Sequence, residues 1–181
     1  MTRKSPPELF EEVVVSMRNL SASDAAKWGI AAGLESPYFF YGTPVEINRQ
    51  MIERDKGSTK GKVYPAIALR LPTDEDSKNG LINYNANVGI FAQTKMQYDA
   101  PDRYSNVVKP ILYPLFELFL DRLKRAGFTW DGDGSEPPHK KRDMLHHGVE
   151  ATQGNIAYIF NQPLDAIEIV SLRINNKIKY C

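Results

Sequence analysis

The chain has 181 residues, with 23 lysines and arginines, 22 acidic residues and a formal net charge of +1. This length predicts one domain over residues 1–181, and so balanced a charge indicates neither a polyanion-binding protein nor an acidic tail. No run approaches the about 18 apolar residues of a membrane span, and the opening MTRKSPPELFEE has no apolar signal core, so neither a membrane protein nor a secreted one is expected.

The N-terminal part predicts helical structure. Pro6 and Pro7 suit the first turn of a helix, where a missing N–H costs nothing. Apolar residues then recur at helical spacing. A second short helix is predicted over residues 24–32, ended by Gly33, and whether these are two helices or one bent helix stays open.

The next part of the chain predicts strands. Residues 38–42 are aromatic and β-prone, whereas residues 44–54 fit either a helical turn or a continuing strand. Residues 63–71 and 81–94 read as an antiparallel hairpin around a polar loop over residues 72–80. The faces of the second strand are assigned by alternation: Val88, Ile90 and Ala92 point one way, and Asn87, Phe91 and Gln93 point the other.

The longest apolar-periodic run is NVVKPILYPLFELFLDRLKRA, residues 106–126, which predicts a central helix ended by Gly127. Pro110 fits the first turn, but Pro114 removes a donor and clashes with the carbonyl four residues back. Either the regular helix begins near Pro114 or it is kinked there, and residues 106–113 could be an extended approach.

Residues 129–154 are dense in glycine, proline and charge, which predicts a long irregular loop with short strands at most. Strands follow at residues 156–160 and 164–172, and residues 174–180 either continue the last strand or fold back. The order helix, strands, helix, strands predicts an α+β fold. Its mixed, mainly antiparallel sheet would carry an N-terminal helical segment and the central helix.

A basic cluster lies inside the predicted loop: His139, Lys140, Lys141 and Arg142. Such a cluster could form an interface or face DNA, where it would contact phosphates without sequence preference. The plainer interpretation is a solvated loop tip.

No metal site is predicted. Three histidines and Asp143 fall within residues 139–147, but His146 and His147 are adjacent and would face opposite ways in a strand. Neither cysteine pairs nor an HExxH spacing supports zinc. The run DGDG begins like a calcium loop, yet Arg142 stands where the loop's twelfth residue would be acidic.

No catalytic residue or cofactor site is predicted either, so the chain is not expected to be an enzyme. Asp165 and Glu168 are acids inside an apolar strand, as in some nuclease sites. They are three residues apart, so a regular strand points them to opposite faces, where each would meet solvent or a basic side chain. There is no GxSxG motif and no glycine-rich phosphate loop. The one cysteine, Cys181, fits a reducing compartment and is a poor nucleophile.

Five segments carry a family resemblance: YFFYGTPVEINRQM, VYPAIALRLP, VGIFAQTK, RYSNVVKPILYPLFELFLDRL and LDAIEIVSLRI. Together they resemble the small tail-terminator or tail-completion proteins of long-tailed bacteriophages, especially those of phages and prophages of gut bacteria. The resemblance covers roughly residues 39–174. It lies in element order and in aromatic and aliphatic texture, not in a catalytic fingerprint.

The resemblance implies a non-enzymatic α+β protein of the virion tail or neck, assembled in the bacterial cytoplasm without a cofactor or membrane. It implies a homo-oligomeric ring, typically a hexamer, that caps the tail tube, receives head-completion proteins and could contact passing DNA. Two alternatives stay open. One is another head–tail connector or adaptor. The other is a nucleic-acid-binding protein or nuclease, which requires Asp165, Glu168 and the basic cluster to converge.

Overall fold

The computed structural model describes residues 4–18, 20, 22–28, 37–56, 63–78, 80–131, 134–147, 149–152, 155–158 and 163–177. The N-terminal half contains α1 (Pro6–Ser16), α2 (Ala22–Lys27), β1 (Tyr38–Gly42), α3 (Pro44–Arg54), β2 (Ala66–Lys78) and β3 (Leu81–Gln93). The C-terminal half contains α4 (Ala100–Arg103), a π-helical segment (Tyr104–Leu112), α5 (Tyr113–Arg125), β4 (Lys140–His147), β5 (Val149–Thr152), β6 (Asn155–Tyr158) and β7 (Leu164–Lys177).

A five-stranded mixed sheet in the order β1-β2-β3-β7-β4 organises the domain, and β5 and β6 pair separately. β1 is parallel to β2, and every other pairing in the larger sheet is antiparallel. The predicted α+β class and the predicted β2–β3 hairpin are therefore confirmed. Among the described residues, none of the helices combines the length and apolarity that a membrane crossing requires.

The face of the sheet that we call the first face carries the larger core. Helices α1 and α5 and the π-helical segment pack on it, and its strand residues come from β2, β3 and β7. The predicted alternation of β3 is correct, because Val88, Ile90 and Ala92 all lie in this core whereas Phe91 does not. The core residues include Phe10, Val13, Val14, Ile67, Leu69, Tyr84, Leu112, Leu115, Leu118, Phe119, Ile167, Ile169 and Leu172.

The opposite face, the second face, carries a smaller core under α3. Thr43 caps α3 through a capping box with Glu46, so the open choice between helix and strand is resolved as helix. Ile47 and Met51 pack with Phe91 and with small residues of β2 and β7. Gly89 admits the Phe91 ring, because a Cβ at Gly89 would lie 2.4 Å from Phe91 Cζ.

The central helical region is helical from Ala100 to Arg125 but changes its hydrogen-bonding period. Pro110 lies within the π-helical segment, and Pro114 lies in the first turn of α5. Neither proline has an N–H that can donate a helical hydrogen bond. The wider turn of a π-helix accommodates the missing bond. The regular helix thus begins next to Pro114, as one alternative predicted, but the predicted extended approach is wrong. Gly127 follows α5 with φ 87°, as predicted for a helix end.

Several boundaries differ from the sequence predictions. The N-terminal helices are two, α1 and α2, and the predicted end at Gly33 lies outside the described residues. The loop predicted over residues 72–80 is largely strand, since β2 reaches Lys78 by pairing with the start of β3. The predicted irregular loop over residues 129–154 contains β4 and β5. β7 runs on to Lys177 without folding back, with a bulge at Ser171, where φ is 54°.

One fully buried ion pair ties the helical region to the sheet. Arg103, at the end of α4, and Asp165, on β7, both have 0% side-chain exposure, and their atoms Nη1 and Oδ1 are 2.9 Å apart. The guanidinium donates further hydrogen bonds to the Tyr98 and Lys95 carbonyls at 2.9 and 3.0 Å and to the Thr94 hydroxyl at 3.3 Å. The same Asp165 oxygen accepts from the His146 N–H of β4 at 3.1 Å. One site therefore joins the end of β3, α4, β7 and β4.

Removing one partner of this pair is expected to destabilise the fold strongly, because the other charge would stay buried and unpaired. We predict that Asp165→Ala lowers the free energy of unfolding by about 3–5 kcal/mol, and that the double variant Arg103→Met/Asp165→Ala loses less than the sum of the single changes. Chemical denaturation measures both quantities.

The control is Glu53→Ala, which breaks the exposed Arg49–Glu53 pair on α3. Its expected cost is below about 1 kcal/mol, since exposed ion pairs contribute little. An additive double variant, or equal losses for Asp165→Ala and Glu53→Ala, would contradict the anchoring role of the buried pair.

Candidate functional site

The basic cluster is not a loop tip, because Lys140, Lys141 and Arg142 begin the edge strand β4 and His139 directly precedes it. The side chains of the cluster are divided between the two faces of the sheet. Lys141 is opposite the first-face core residue Ile169, and its Nζ lies 3.8 Å from the centroid of the Tyr113 ring. The His139 ring contacts the Phe116 ring in a tilted arrangement, with the ring centroids 5.6 Å apart. These two basic residues therefore fasten the strand to α5.

A polar contact completes this attachment. The Tyr113 hydroxyl donates to Asp143 Oδ2 at 2.9 Å, and Lys141 Nζ lies 3.2 Å from Asp143 Oδ1. The hydrogen bond to Asp143 raises the pKa of Tyr113 to about 12, because ionisation of the phenol would remove the donor and place a second negative charge beside the carboxylate. Lys141 and Asp143 of β4 are thus engaged with Tyr113 of α5 inside the molecule.

Lys140 and Arg142 lie on the second face instead, and we call this pair the basic edge. In the β4–β7 register Lys140 is opposite Val170 and Arg142 is opposite Glu168. Both side chains are exposed. Neither makes an ion pair or a side-chain hydrogen bond with any residue that the structure describes. The basic edge is therefore open to a partner.

Arg142 also lines a cleft of about 270 Å³ on the second face, together with Pro44, Arg70, Leu71, Asn87, Val88, Glu168, Ile169 and Val170. Inside it, Arg70 Nη1 lies 2.5 Å from Glu168 Oε1, and Arg70 Nη2 lies 3.2 Å from His147 Nε2. Arg70 also lies 5.8 Å above the Phe91 ring. Since Glu168 offsets Arg70, Arg142 is the cation of the cleft that has no ion-pair partner among the described residues, and the cleft favours an anionic group.

His147 lies beside this ion pair with its side chain 11% exposed. Burial and the neighbouring Arg70 lower the pKa of His147 below its ordinary value, and Glu168 offsets only part of that shift. The imidazole is therefore neutral at pH 7. Asn87 also has a structural role, because its side-chain oxygen accepts from the Ser171 N–H at 3.0 Å and holds the bulge of β7.

The structure separates the two acids on which a nuclease site would depend. Asp165 is buried with Arg103, whereas Glu168 pairs with Arg70 in the cleft, so the expectation that each meets a basic side chain or solvent is confirmed. The convergence that the nuclease alternative requires is wrong for Asp165, because that residue is fully buried. Only Glu168 approaches the basic edge.

The histidines do not assemble a metal site among the described residues, where no group of three potential ligands occurs. His139 contacts the Pro137 carbonyl, while His147 contacts Arg70. In the DGDG run, Asp131 accepts from the Asn175 amide at 3.2 Å, and the two residues after it lie outside the described part.

Sequence reasoning missed an acidic stretch on β2. Residues 74–76, with the sequence DED, are exposed and paired only with β3, because β1 covers β2 only from Ala66 to Arg70. No strand in the described part of the chain lies on the other side of this stretch. We call its second-face residues, Asp74 and Asp76, the acidic edge. Their charge was visible in the sequence, but their strand conformation was not.

Comparisons with protein-family models and with curated proteins find no match for this chain. Function is therefore inferred from the exposed surfaces of the described residues. These are two open sheet edges of opposite charge and a cleft beside one of them.

A pH dependence follows from His147. Because its pKa is lowered in the folded state, the unfolded chain binds more protons just below the ordinary histidine pKa of about 6.5. The stability that neutral His147 contributes is present above that pH and is lost as the pH falls through it. We expect the difference in free energy of unfolding between wild type and His147→Gln to favour wild type more at pH 8 than at pH 5. Denaturation at both pH values measures the difference, and a constant difference, or one that favours wild type more at pH 5, would contradict the prediction.

Proposed function

We propose that this chain is a non-enzymatic structural protein of a long-tailed bacteriophage, a tail terminator or completion protein that forms a ring at the head-proximal end of the tail tube. The observation that carries the proposal is the pair of open sheet edges with opposite charge. A protein with two different complementary surfaces joins its neighbours head to tail, and such joints close into rings when the rotation fits.

The remaining geometry supports an assembly role. The sheet has a packed core on each face, so the acidic edge and the basic edge are held at a fixed separation. In the part of the chain that the structure describes, the charged side chains of the cleft are engaged with one another, apart from Arg142. A rigid body with charged edges suits a ring subunit, which needs docking surfaces more than a substrate pocket.

Under this proposal the protein acts in the virion neck after assembly in the bacterial cytoplasm, without a cofactor. Its partners are further copies of itself, the tail tube and head-completion proteins. A head–tail connector would use similar edges, and binding to the capsid portal in place of the tube distinguishes it. Contact with DNA has less support, because two of the four residues of the basic cluster pack on α5.

The test is to assemble tail tubes from the tube protein encoded near this gene, with and without the purified chain. We expect the chain to bind at one end of each tube, to stop its growth and to narrow the length distribution seen by electron microscopy. A heat-unfolded sample of the chain is the control. Equal length distributions and no added density at either tube end would contradict the proposal.

A further inference from the structure

The acidic and basic edges have matching geometry. Asp74 and Asp76 are opposite Asn85 and Asn83 of β3, and Tyr84 between those two points into the first-face core. The two aspartates therefore lie on the second face, since successive residues of a strand alternate. The basic edge lies on the same face.

The spacing also matches, because each edge carries two charges separated by one residue. A strand pairing that sets Lys140 opposite Asp76 therefore sets Arg142 opposite Asp74. Directly opposite residues of antiparallel strands have Cβ atoms about 4.5–5.5 Å apart, close enough for charge pairs. The residue between the two acids, Glu75, is opposite Tyr84 on the first face and does not compete.

The sheet topology supplies the required direction. β2 and β3, β3 and β7, and β7 and β4 are each antiparallel, so β2 and β4 run in opposite directions. A second copy in the same orientation, set beside the first, presents its β2 antiparallel to the first copy's β4. The second faces of the two copies then lie on the same side of one continuous sheet.

We propose that the basic edge of one copy pairs with the acidic edge of the next copy, by antiparallel strand pairing of residues 140–142 with residues 74–76. This inference rests on the proposed ring-forming function and assigns the subunit contact within it. The two edges of one molecule cannot meet each other, because β3 and β7 lie between β2 and β4. The joint is therefore between molecules and repeats in one direction.

The ends of both strands set the limits of this contact. β1 occupies the side of β2 up to Arg70, so a neighbour can pair only beyond that point. β4 has an irregular register between Met144 and His147, with His146 at φ 52°. β2 has a register shift between Arg70 and Asp74, and Pro72 has no N–H to donate, so regular pairing is confined to residues 74–76 of β2 and residues 140–142 of β4.

A charge-reversal series tests the pairing. Lys140→Glu/Arg142→Glu and Asp74→Lys/Asp76→Lys should each weaken self-association roughly a hundredfold, because like charges then face each other. The fourfold variant, which exchanges the charges, should regain association, and so should an equimolar mixture of the two double variants. Sedimentation equilibrium over a range of protein and salt concentrations measures the association constants, and circular dichroism verifies folding.

The matched control is Lys109→Glu/Lys124→Glu. It changes the net charge as Lys140→Glu/Arg142→Glu does, but at exposed residues of the helical layer. It should associate like wild type. A wild type that stays monomeric at every concentration, or double variants that associate like wild type, would overturn the pairing. Association that follows the charge series in a protein that does not bind tail tubes would support the pairing and reject the tail function.

Discussion

The buried pair of Arg103 and Asp165 is the interaction on which the arrangement of the sheet and its helical layer depends. A charge in the interior is costly unless it is paired and hydrogen-bonded, and the acceptors of the Arg103 guanidinium come from residues 94–98 and from Asp165 on β7. Because Asp165 also accepts from the backbone of His146, the pair fixes the C-terminal end of β4. The edge strand is thus anchored at one end by this pair and near its start by the contacts of Lys141 with α5.

This anchoring explains how an exposed edge strand can present charge in a defined direction. Alternation sends Lys141 and Asp143 to α5, and it sends Lys140 and Arg142 to the opposite face. Charged side chains on an edge usually discourage unwanted strand pairing. In the proposed pairing the charges of β4 face opposite charges on β2 of the next copy, so these charges admit an acidic edge and repel a second basic edge. The net charge of +1 conceals this separation.

The sequence predicted those parts of the fold in which burial of one face makes apolar residues recur at a regular spacing. β3 has apolar side chains toward the first-face core and Phe91 toward the second, so its alternation was readable. β4 was predicted as irregular, because an edge strand with exposed side chains has no apolar alternation. The outer part of β2 was predicted as a loop for the same reason, although its backbone is satisfied by β3.

The candidate site was harder to predict than the fold, because its contacts join residues that are far apart in the chain. Arg103 and Asp165 are separated by 62 positions and Arg70 and Glu168 by 98. Opposite faces for Asp165 and Glu168 follow from strand periodicity, but which arginine each acid meets follows only from the topology. The π-helical hydrogen bonding around Pro110 was likewise not predicted, because the apolar run over residues 106–126 indicates a helix but not its hydrogen-bonding period.

Pairing of the open edges of β2 and β4 between copies can be followed by amide hydrogen exchange as a function of protein concentration. Outward-facing amides of residues 140–142 and 74–76 should exchange quickly in dilute protein and become protected together as the protein associates. Amides of β3, which is central in the sheet, should be protected at every concentration. If the protein associates while the amides of both edges keep exchanging at the rates seen in dilute protein, pairing of β2 with β4 between copies is contradicted.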